Sequence, residues 1–145
     1  MTEISFHFNA PHKLEYACRL LRKAVNSGSK VVVAGEPQAL GQLDASLWTF
    51  SALDFVPHCF HDSDAALLGA SPVILGLAAA PVPSSAPSQV LLNLGAGVPE
   101  GFERFERLIE VVGTEGEDRQ TARDRWKHYA SRGYAITRHD LATPS

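Results

Sequence analysis

The sequence predicts a single-domain α/β fold with a mostly parallel sheet and helices on both faces. Short apolar runs alternate with amphipathic segments along nearly the whole chain, which is the pattern of successive strand and helix units. The run Val31–Ala34 is apolar throughout, as expected for a strand covered on both faces. A chain of 145 residues is long enough for one real core. We assign residues 1–141 to this domain and expect residues 142–145 to be frayed.

The N-terminal part of the chain predicts two strand and helix units. Apolar residues alternate with polar ones over residues 4–8, which indicates a first strand. A helix is expected from about Lys13 to Asn26, where apolar residues recur at helical spacing and Gly28 ends the pattern. A strand over Lys30–Ala34 and a helix from about Pro37 to Trp48 follow. The buried face of that second helix is marked by Leu40, Leu43 and Leu47.

The remaining elements continue the alternation. Val73–Leu75 and Val90–Leu94 are expected to be buried strands, and the Pro-, Ser- and Ala-rich stretch from Ala80 to Ser88 between them is expected to be a loop. A helix, a strand, a second helix and a final strand are then expected at Gly101 to Leu108, Ile109–Val112, Arg119–Arg132 and Tyr134–Thr137.

The helix over Arg119–Arg132 has two distinct faces. Arg119, Arg123 and Lys127 fall at i, i+4 and i+8 and form one cationic stripe. The neighbouring apolar face is expected to contain Ala122, Trp126, Tyr129 and Ala130. A large aromatic residue beside aligned cations suits an anionic partner with an apolar end. A solvated charged face over an ordinary core face is the alternative that periodicity leaves open.

Composition excludes several classes of function. The net charge of -3 argues against broad binding to a nucleic-acid backbone. No apolar run approaches the roughly 18 residues that span a bilayer, and the N-terminus lacks the basic region of a signal peptide. Two cysteines, Cys18 and Cys59, are too few for a disulfide framework and are expected to be reduced thiols in a cytoplasmic protein, with Cys18 in the core.

A glycine-rich turn gives the best candidate for a nucleotide site. Gly95, Gly97 and Gly101 follow an expected strand, but the third glycine comes one residue late for the dinucleotide fingerprint. Glu100 and Glu103 would repel a pyrophosphate at the following helix N-terminus. A nucleotide- or small-molecule-binding enzyme that uses the Gly95–Gly97 turn is therefore the alternative function, and we expect no cofactor.

Other catalytic patterns are weak. The cluster His58, Cys59, His61 and Asp62 resembles a metal site, but four ligands within five residues cannot readily face one ion, so we favour a polar loop without metal. The chain has no nucleophile elbow and no activated-cysteine context. These observations favour a binding module over an enzyme.

Aromatic residues cluster at the end of the second helix and in the segment that follows it. Trp48 lies one residue beyond the leucine face of the helix, at the margin of the expected core, and Phe50 and Phe55 follow. Such aromatics either cap the core or present an anchor to a protein partner, and the pattern alone favours the core.

Several motifs together resemble the chi subunit family of bacterial DNA polymerase III. Their order and spacing match from the first strand to the last. They are K-V-V-V-A at 30–34, L-D-A-S-L-W at 43–48, F-V-P-H at 55–58, A-R-D-R-W-K-H-Y at 122–129, and Gly133-Tyr134. The resemblance implies an α/β sheet like that of nucleotide-binding domains but without nucleotide. It also implies a subunit of the polymerase holoenzyme that is not an enzyme as an isolated chain.

The resemblance implies two partners for the chain. One is the psi subunit, which links chi to the clamp loader, and the family positions for this contact fall on Trp48, Phe55, Val56 and Pro57. Some family members also use that surface for a helicase-like partner. The resemblance implies little direct nucleic-acid binding and no membrane contact.

The second implied partner is the acidic C-terminal tail of single-stranded DNA-binding protein, which ends in Pro-Phe. The family positions for this pocket fall on Arg123, Trp126 and Lys127, with Arg119 and Val112 nearby. Arg125 is expected to meet acidic tail residues at long range together with Arg119. Trp126 stands where tyrosine is frequent in the family and Arg119 where lysine is common. The acidic run Glu115–Asp118 close to the pocket could weaken its binding of an acidic tail.

Overall fold

The structure is a computed structural model that describes residues 2–49, 56–64, 66, 70–76, 90–99 and 101–142. Phe50, Phe55 and the Ala80–Ser88 stretch lie outside these described residues. Strands and helices alternate as the sequence predicts. In chain order they are β1 (Glu3–Ala10), α1 (Lys13–Asn26), β2 (Val31–Ala34), α2 (Pro37–Thr49), β3 (His58–Phe60), β4 (Val73–Leu75), β5 (Val90–Asn93), a 3₁₀ helix (Phe102–Arg104), β6 (Arg107–Gly113), α3 (Gly116–Ser131) and β7 (Ile136–Asp140).

The seven strands form one sheet with the order β3-β4-β2-β5-β6-β1-β7. Every pair is parallel, so the sequence prediction of a mostly parallel sheet is confirmed. The central strands β2 and β5 are buried along their whole length, as expected for strands covered on both faces. Strands β3 and β7 form the two edges.

Two apolar layers lie on opposite faces of the sheet, which confirms the prediction of helices on both faces. On one face, α1 and α2 contribute Leu21 and Leu43 to a core that includes Val33 and Leu75. On the other face, Tyr129 of α3 packs with Phe6, Leu91, Phe102 and Leu108. Side chains alternate between faces along each strand, so successive residues of β2 contribute to both layers.

The prediction of a helix from Gly101 to Leu108 is wrong. Gly101 has a left-handed backbone (φ 80°) and begins only a three-residue 3₁₀ helix, after which Phe105 is already extended. Phe102 and Phe105 lie three residues apart, so the tight 3₁₀ turn directs both rings into the core, where each is 2% exposed. Strand β6 then begins at Arg107 instead of Ile109 and reaches Gly113.

Other boundaries also differ from expectation. Residues 58–60, expected in a polar loop, form strand β3, because Cys59 is buried and the segment pairs in register with β4. Helix α3 begins at Gly116 instead of Arg119, which puts Glu117 and Asp118 in its first turn, where carboxylates complement the helix dipole. Strand β7 runs to Asp140. Within the described residues, no helix is long and apolar enough to cross a membrane.

Candidate functional site: a cationic groove and an exposed tryptophan

A groove of about 400 Å³ lies between α3 and the edge of the sheet formed by β1 and β7. We call it the arginine groove. It brings together four of the five residues that the sequence assigned to one pocket, namely Val112, Arg119, Arg123 and Trp126. The other lining residues are Phe6, Phe8, Asn9, Ala122 and Arg138.

The floor of the arginine groove is apolar and aromatic. Val112 and Ala122 are 3% and 7% exposed, so they present only a small part of their surface. Trp126 is half-buried, and its ring centroid lies 5.1 Å from that of Phe6 on β1 in a tilted arrangement. This contact holds the indole against the sheet, so Trp126, Val112 and Ala122 give the groove an apolar floor.

The walls of the groove are cationic. Arg119 and Arg123 are exposed on successive turns of α3, and Arg138 of β7 is exposed on the opposite side, with its Cζ 5.8 Å from the Trp126 ring centroid. Among the described residues, none of these three guanidinium groups forms an ion pair with a carboxylate. Their charge is therefore available to an anionic ligand. No local sequence pattern links Arg138 to the residues of α3.

Two residues of the predicted α3 faces lie elsewhere. Lys127 is exposed and is not among the residues that line the groove, although it follows Arg123 by one helical turn. Ala130, expected on the apolar face, is exposed. The buried α3 positions are instead Ala122, Arg125 and Tyr129, at i, i+3 and i+7.

Arg125 is not available to a ligand, so the expectation that it meets acidic tail residues at long range is wrong. It is 2% exposed, and its Nε donates to Oε1 of Glu110, also fully buried, at 3.0 Å. Its Nη1 donates to the carbonyl of Ala96 at 2.7 Å and to Thr121 at 3.3 Å. Arg125 lies three residues after Ala122 and four before Tyr129, and this helical spacing in the sequence indicates that Arg125 shares their buried face.

Glu110 is the centre of a buried polar network that joins β5, β6 and α3. Asn93 donates to its Oε1 at 2.9 Å and the Tyr129 hydroxyl donates to its Oε2 at 2.5 Å. Burial raises the pKa of Glu110, while the Arg125 charge and the hydrogen bonds act in the opposite direction. Burial and the Glu110 charge raise the pKa of Tyr129. The network anchors the face of α3 that lies behind the groove.

The glycine turn proposed as the alternative nucleotide site is closed by its own hydrogen bonds. The Gly95 N–H donates to the side-chain oxygen of Asn93 at 2.9 Å, and the Asn93 amide donates to the Gly97 carbonyl at 3.1 Å. Among the described residues, the turn leads only into a three-residue 3₁₀ helix. Helix α3 begins at the cleft that Ala96 also lines, but Glu115, Glu117 and Asp118 line that cleft and would repel a phosphate. The geometry therefore does not favour this alternative.

A second cleft, of about 370 Å³, lies where β1 and β6 end and α3 begins. It contains the acidic run, of which Glu115, Glu117 and Asp118 line the cleft. Asp118 accepts hydrogen bonds from the Gly113 N–H at 2.6 Å and from Lys13 Nζ at 3.1 Å. The acidic residues therefore face a cleft separate from the arginine groove, and Lys13 offsets one of their charges.

Trp48 is the exposed large hydrophobic residue of the described chain, with 62% of its surface accessible. Leu40, Leu43 and Leu47 of the same helix are buried, which agrees with the predicted position of Trp48 at the margin of the core. The expectation from pattern alone that Trp48 caps the core is wrong, because most of its surface is accessible. Its ring meets the His58 ring edge-on at 5.5 Å. Pro57, which precedes His58 in the chain, is exposed. Val56 is 2% exposed and belongs to the core, and Phe55 lies outside the described residues.

The His58 ring, which packs against Trp48, is held by two neighbouring oxygen atoms. Its Nε2 lies 2.9 Å from the Asp44 carboxylate and its Nδ1 lies 2.7 Å from the Val56 carbonyl oxygen. These two contacts fix the orientation of the imidazole ring. Among the described residues, no group of His, Cys, Asp and Glu has the arrangement of a metal site. The buried Cys18 is 1% exposed, which confirms its predicted place in the core.

Fold and surfaces together define an all-parallel α/β domain that presents an arginine-lined groove and an exposed tryptophan for recognition. Residues 1–137 match the family model described as DNA polymerase III chi subunit, HolC. The chain is 34% identical to DNA polymerase III subunit chi of Pseudomonas aeruginosa, over 97% of this chain and 98% of that protein. It is 27% identical to the Escherichia coli K12 subunit chi, over 84% of this chain and 81% of that protein.

The chain belongs to the DNA polymerase III chi subunit family. Its role is that of a chi subunit in DNA replication, as an accessory subunit of the polymerase.

Proposed function

We propose that this chain is a non-catalytic adaptor. It links the clamp loader, through the psi subunit, to the acidic C-terminal tail of single-stranded DNA-binding protein. The observation that carries the proposal is the arginine groove, which Arg119, Arg123 and Arg138 line together with Trp126 and in which these arginines form no ion pair with a described carboxylate. A tail that ends in Pro-Phe and carries acidic residues upstream has the complementary chemistry, with anionic groups for the walls and an aromatic ring for the floor.

Arg123 is the proposed partner of the terminal carboxylate. It is exposed on α3 directly beside Trp126 and Ala122, and a guanidinium can hold a carboxylate with two parallel hydrogen bonds. The Phe ring of the tail would then lie on the apolar floor that includes Trp126 and Val112. Arg119, one turn earlier, meets an acidic side chain farther up the tail, and Lys127 adds a weaker charge at the rim.

The binding should be modest and sensitive to salt. The arginine side chains are exposed, so their ion pairs with a ligand are screened within about 10 Å at an ionic strength of 0.1 M. The apolar contact of one ring and one proline adds a salt-independent part. We therefore expect micromolar affinity that falls as salt is added.

The proposed psi surface is centred on Trp48. A tryptophan with 62% exposure, together with the exposed Pro57, has the composition of a protein–protein anchor. His58 packs against the Trp48 ring and is itself held by Asp44. Val56, of which 2% is exposed, belongs to the core behind this surface. A helicase-like partner is proposed to compete with psi for this surface.

The separation of the two surfaces supports an adaptor. Trp48 contacts His58 of the edge strand β3, whereas the groove includes Arg138 of the opposite edge strand β7. Six spacings between strands of about 4.8 Å place these edges roughly 29 Å apart. The surfaces also lie toward opposite faces of the sheet, so both partners can bind at once. We propose that this adaptor acts in the bacterial cytoplasm at the replication fork, without a cofactor and with little direct nucleic-acid binding.

Fluorescence anisotropy with a labelled acidic peptide that ends in Pro-Phe tests the proposal. The same peptide without its last Phe is the control. Micromolar, salt-sensitive binding that disappears with the truncated peptide is expected. Absence of binding at low salt, or equal binding of both peptides, would contradict the proposed tail site.

A further inference from the structure

Arg138 forms the wall of the arginine groove opposite α3. It lies in the middle of β7, where it pairs in register with Phe6 of β1, so its side chain is on the face that α3 covers. Its Cζ lies 5.7 Å from the Phe8 ring centroid and 5.8 Å from that of Trp126. These distances are within the range of cation–π contacts, which hold a guanidinium flat against aromatic surface.

The charge of Arg138 is not neutralised within the described residues. Asp140, two residues farther along the same strand, has its Oδ1 bound by the Asn9 amide at 2.9 Å and by the Ala142 N–H at 3.0 Å. Arg138 has no ion pair with it or with any other described carboxylate. The side chain is exposed, so its remaining hydrogen-bond donors face the groove and solvent.

We infer that Arg138 is a further tail-binding residue, which receives an acidic side chain upstream of the terminal Phe. This inference rests on the proposed function. A peptide held by Arg123 at its carboxylate and by Trp126 at its ring runs between the two walls of the groove. Alternate side chains of an extended peptide point to opposite sides. Acidic residues on one side therefore meet Arg119 of α3, and those on the other side meet Arg138 of β7.

The position of Arg138 on the second wall should favour a tail that carries acidic residues on both sides. With cations on one wall only, a peptide that has a single acidic side would bind as well as one that has two. With Arg138 on the second wall, loss of either acidic side weakens binding. The groove thereby distinguishes a densely acidic tail from other peptides that end in Pro-Phe.

A pairing experiment between protein and peptide variants tests the inference. Wild type, Arg138→Gln and Arg138→Lys are titrated by fluorescence anisotropy with two peptides that share the Pro-Phe end. One peptide has aspartates upstream and the other has asparagines in their place. Arg132→Gln, which removes an exposed cation at the end of α3 outside the groove lining, is the matched control.

We expect Arg138→Gln to weaken binding of the aspartate peptide about fivefold, the upper end for an exposed ion pair. The asparagine peptide should bind wild type and Arg138→Gln equally, and Arg138→Lys should stay within about twofold of wild type on the aspartate peptide. Equal losses on both peptides, or no loss on either, would overturn the inference while the proposed function stands. Failure of wild type to bind the aspartate peptide would overturn both.

Discussion

Replacement of Glu110 by glutamine removes one buried charge and keeps the shape of the side chain. The glutamine oxygen can still accept from Arg125 Nε and from Asn93, which now bind Oε1 of Glu110 at 3.0 Å and 2.9 Å. Its amide can donate to the Tyr129 hydroxyl. Arg125, 2% exposed, loses its counter-charge. The Tyr129 hydroxyl, which donates to Oε2 of Glu110, would then accept instead, and its own proton would lose its buried acceptor. The substitution therefore removes the charge pair together with the hydrogen bond that Tyr129 donates.

The expected loss of stability is large. Removing one partner of a buried ion pair costs about 3–5 kcal/mol. We expect the lower end, about 3 kcal/mol, because the hydrogen bonds of Arg125 to Ala96 and Thr121 remain. In a domain of this size each kcal/mol lowers the melting temperature by about 2–4 °C, so a fall of roughly 6–12 °C is expected.

Urea unfolding followed by far-UV circular dichroism gives the free energy of unfolding. Glu15→Gln is the control, because Glu15 forms an exposed i,i+4 pair with Arg19 at 2.7 Å and its loss should cost less than about 0.5 kcal/mol. The double variant Glu110→Gln/Arg125→Met should be more stable than Glu110→Gln alone, since it removes the buried guanidinium that has lost its counter-charge and keeps an acceptor for Asn93. A loss for Glu110→Gln no larger than that of Glu15→Gln would refute this reasoning.

Three further predictions concern the surfaces and the response to pH. Arg123→Ala should weaken tail binding at least about tenfold by anisotropy, since a charge-assisted pair is lost, whereas Arg132→Ala should not. Trp48→Ala should lose psi in a pull-down and keep both tail affinity and melting temperature, and loss of both partners would contradict separate surfaces. Burial, together with His139, Arg107 and Lys23, lowers the pKa of His7 to about 4. The unfolded chain therefore binds that proton first, and stability should fall as pH drops from about 6.5 to 4. His7→Gln should reduce this dependence of the free energy of unfolding on pH. His12→Gln, at an exposed position, should leave it unchanged.

The sheet and the α3 half of the groove could be predicted from local pattern. Apolar runs such as Val31–Ala34 and Val90–Asn93 identify strands without knowledge of their neighbours. Arg119, Arg123 and Trp126 are brought together by helix periodicity alone. Trp48 was placed at the margin of the core by its offset from the leucine face of α2, and the structure confirms that position.

The rest depends on contacts between residues that are distant in sequence. Arg138 joins the groove only because β7 pairs with β1, where it lies opposite Phe6. In the sequence, Glu110 is one of many acidic residues. It pairs with Arg125 because its position in β6 places its carboxylate beneath α3. The prediction of a helix at Gly101–Leu108 was wrong because burial of Phe102 and Phe105 overrides the local helical preference.

Simultaneous binding of both partners tests the adaptor account most directly. A preformed complex of this chain with psi is sedimented in the presence of a labelled acidic peptide that ends in Pro-Phe. The account predicts that the peptide co-sediments with the complex, at the same affinity as with the chain alone, and that Arg123→Ala removes the peptide but not psi. Displacement of the peptide by psi would contradict two separate surfaces at opposite edges of the sheet.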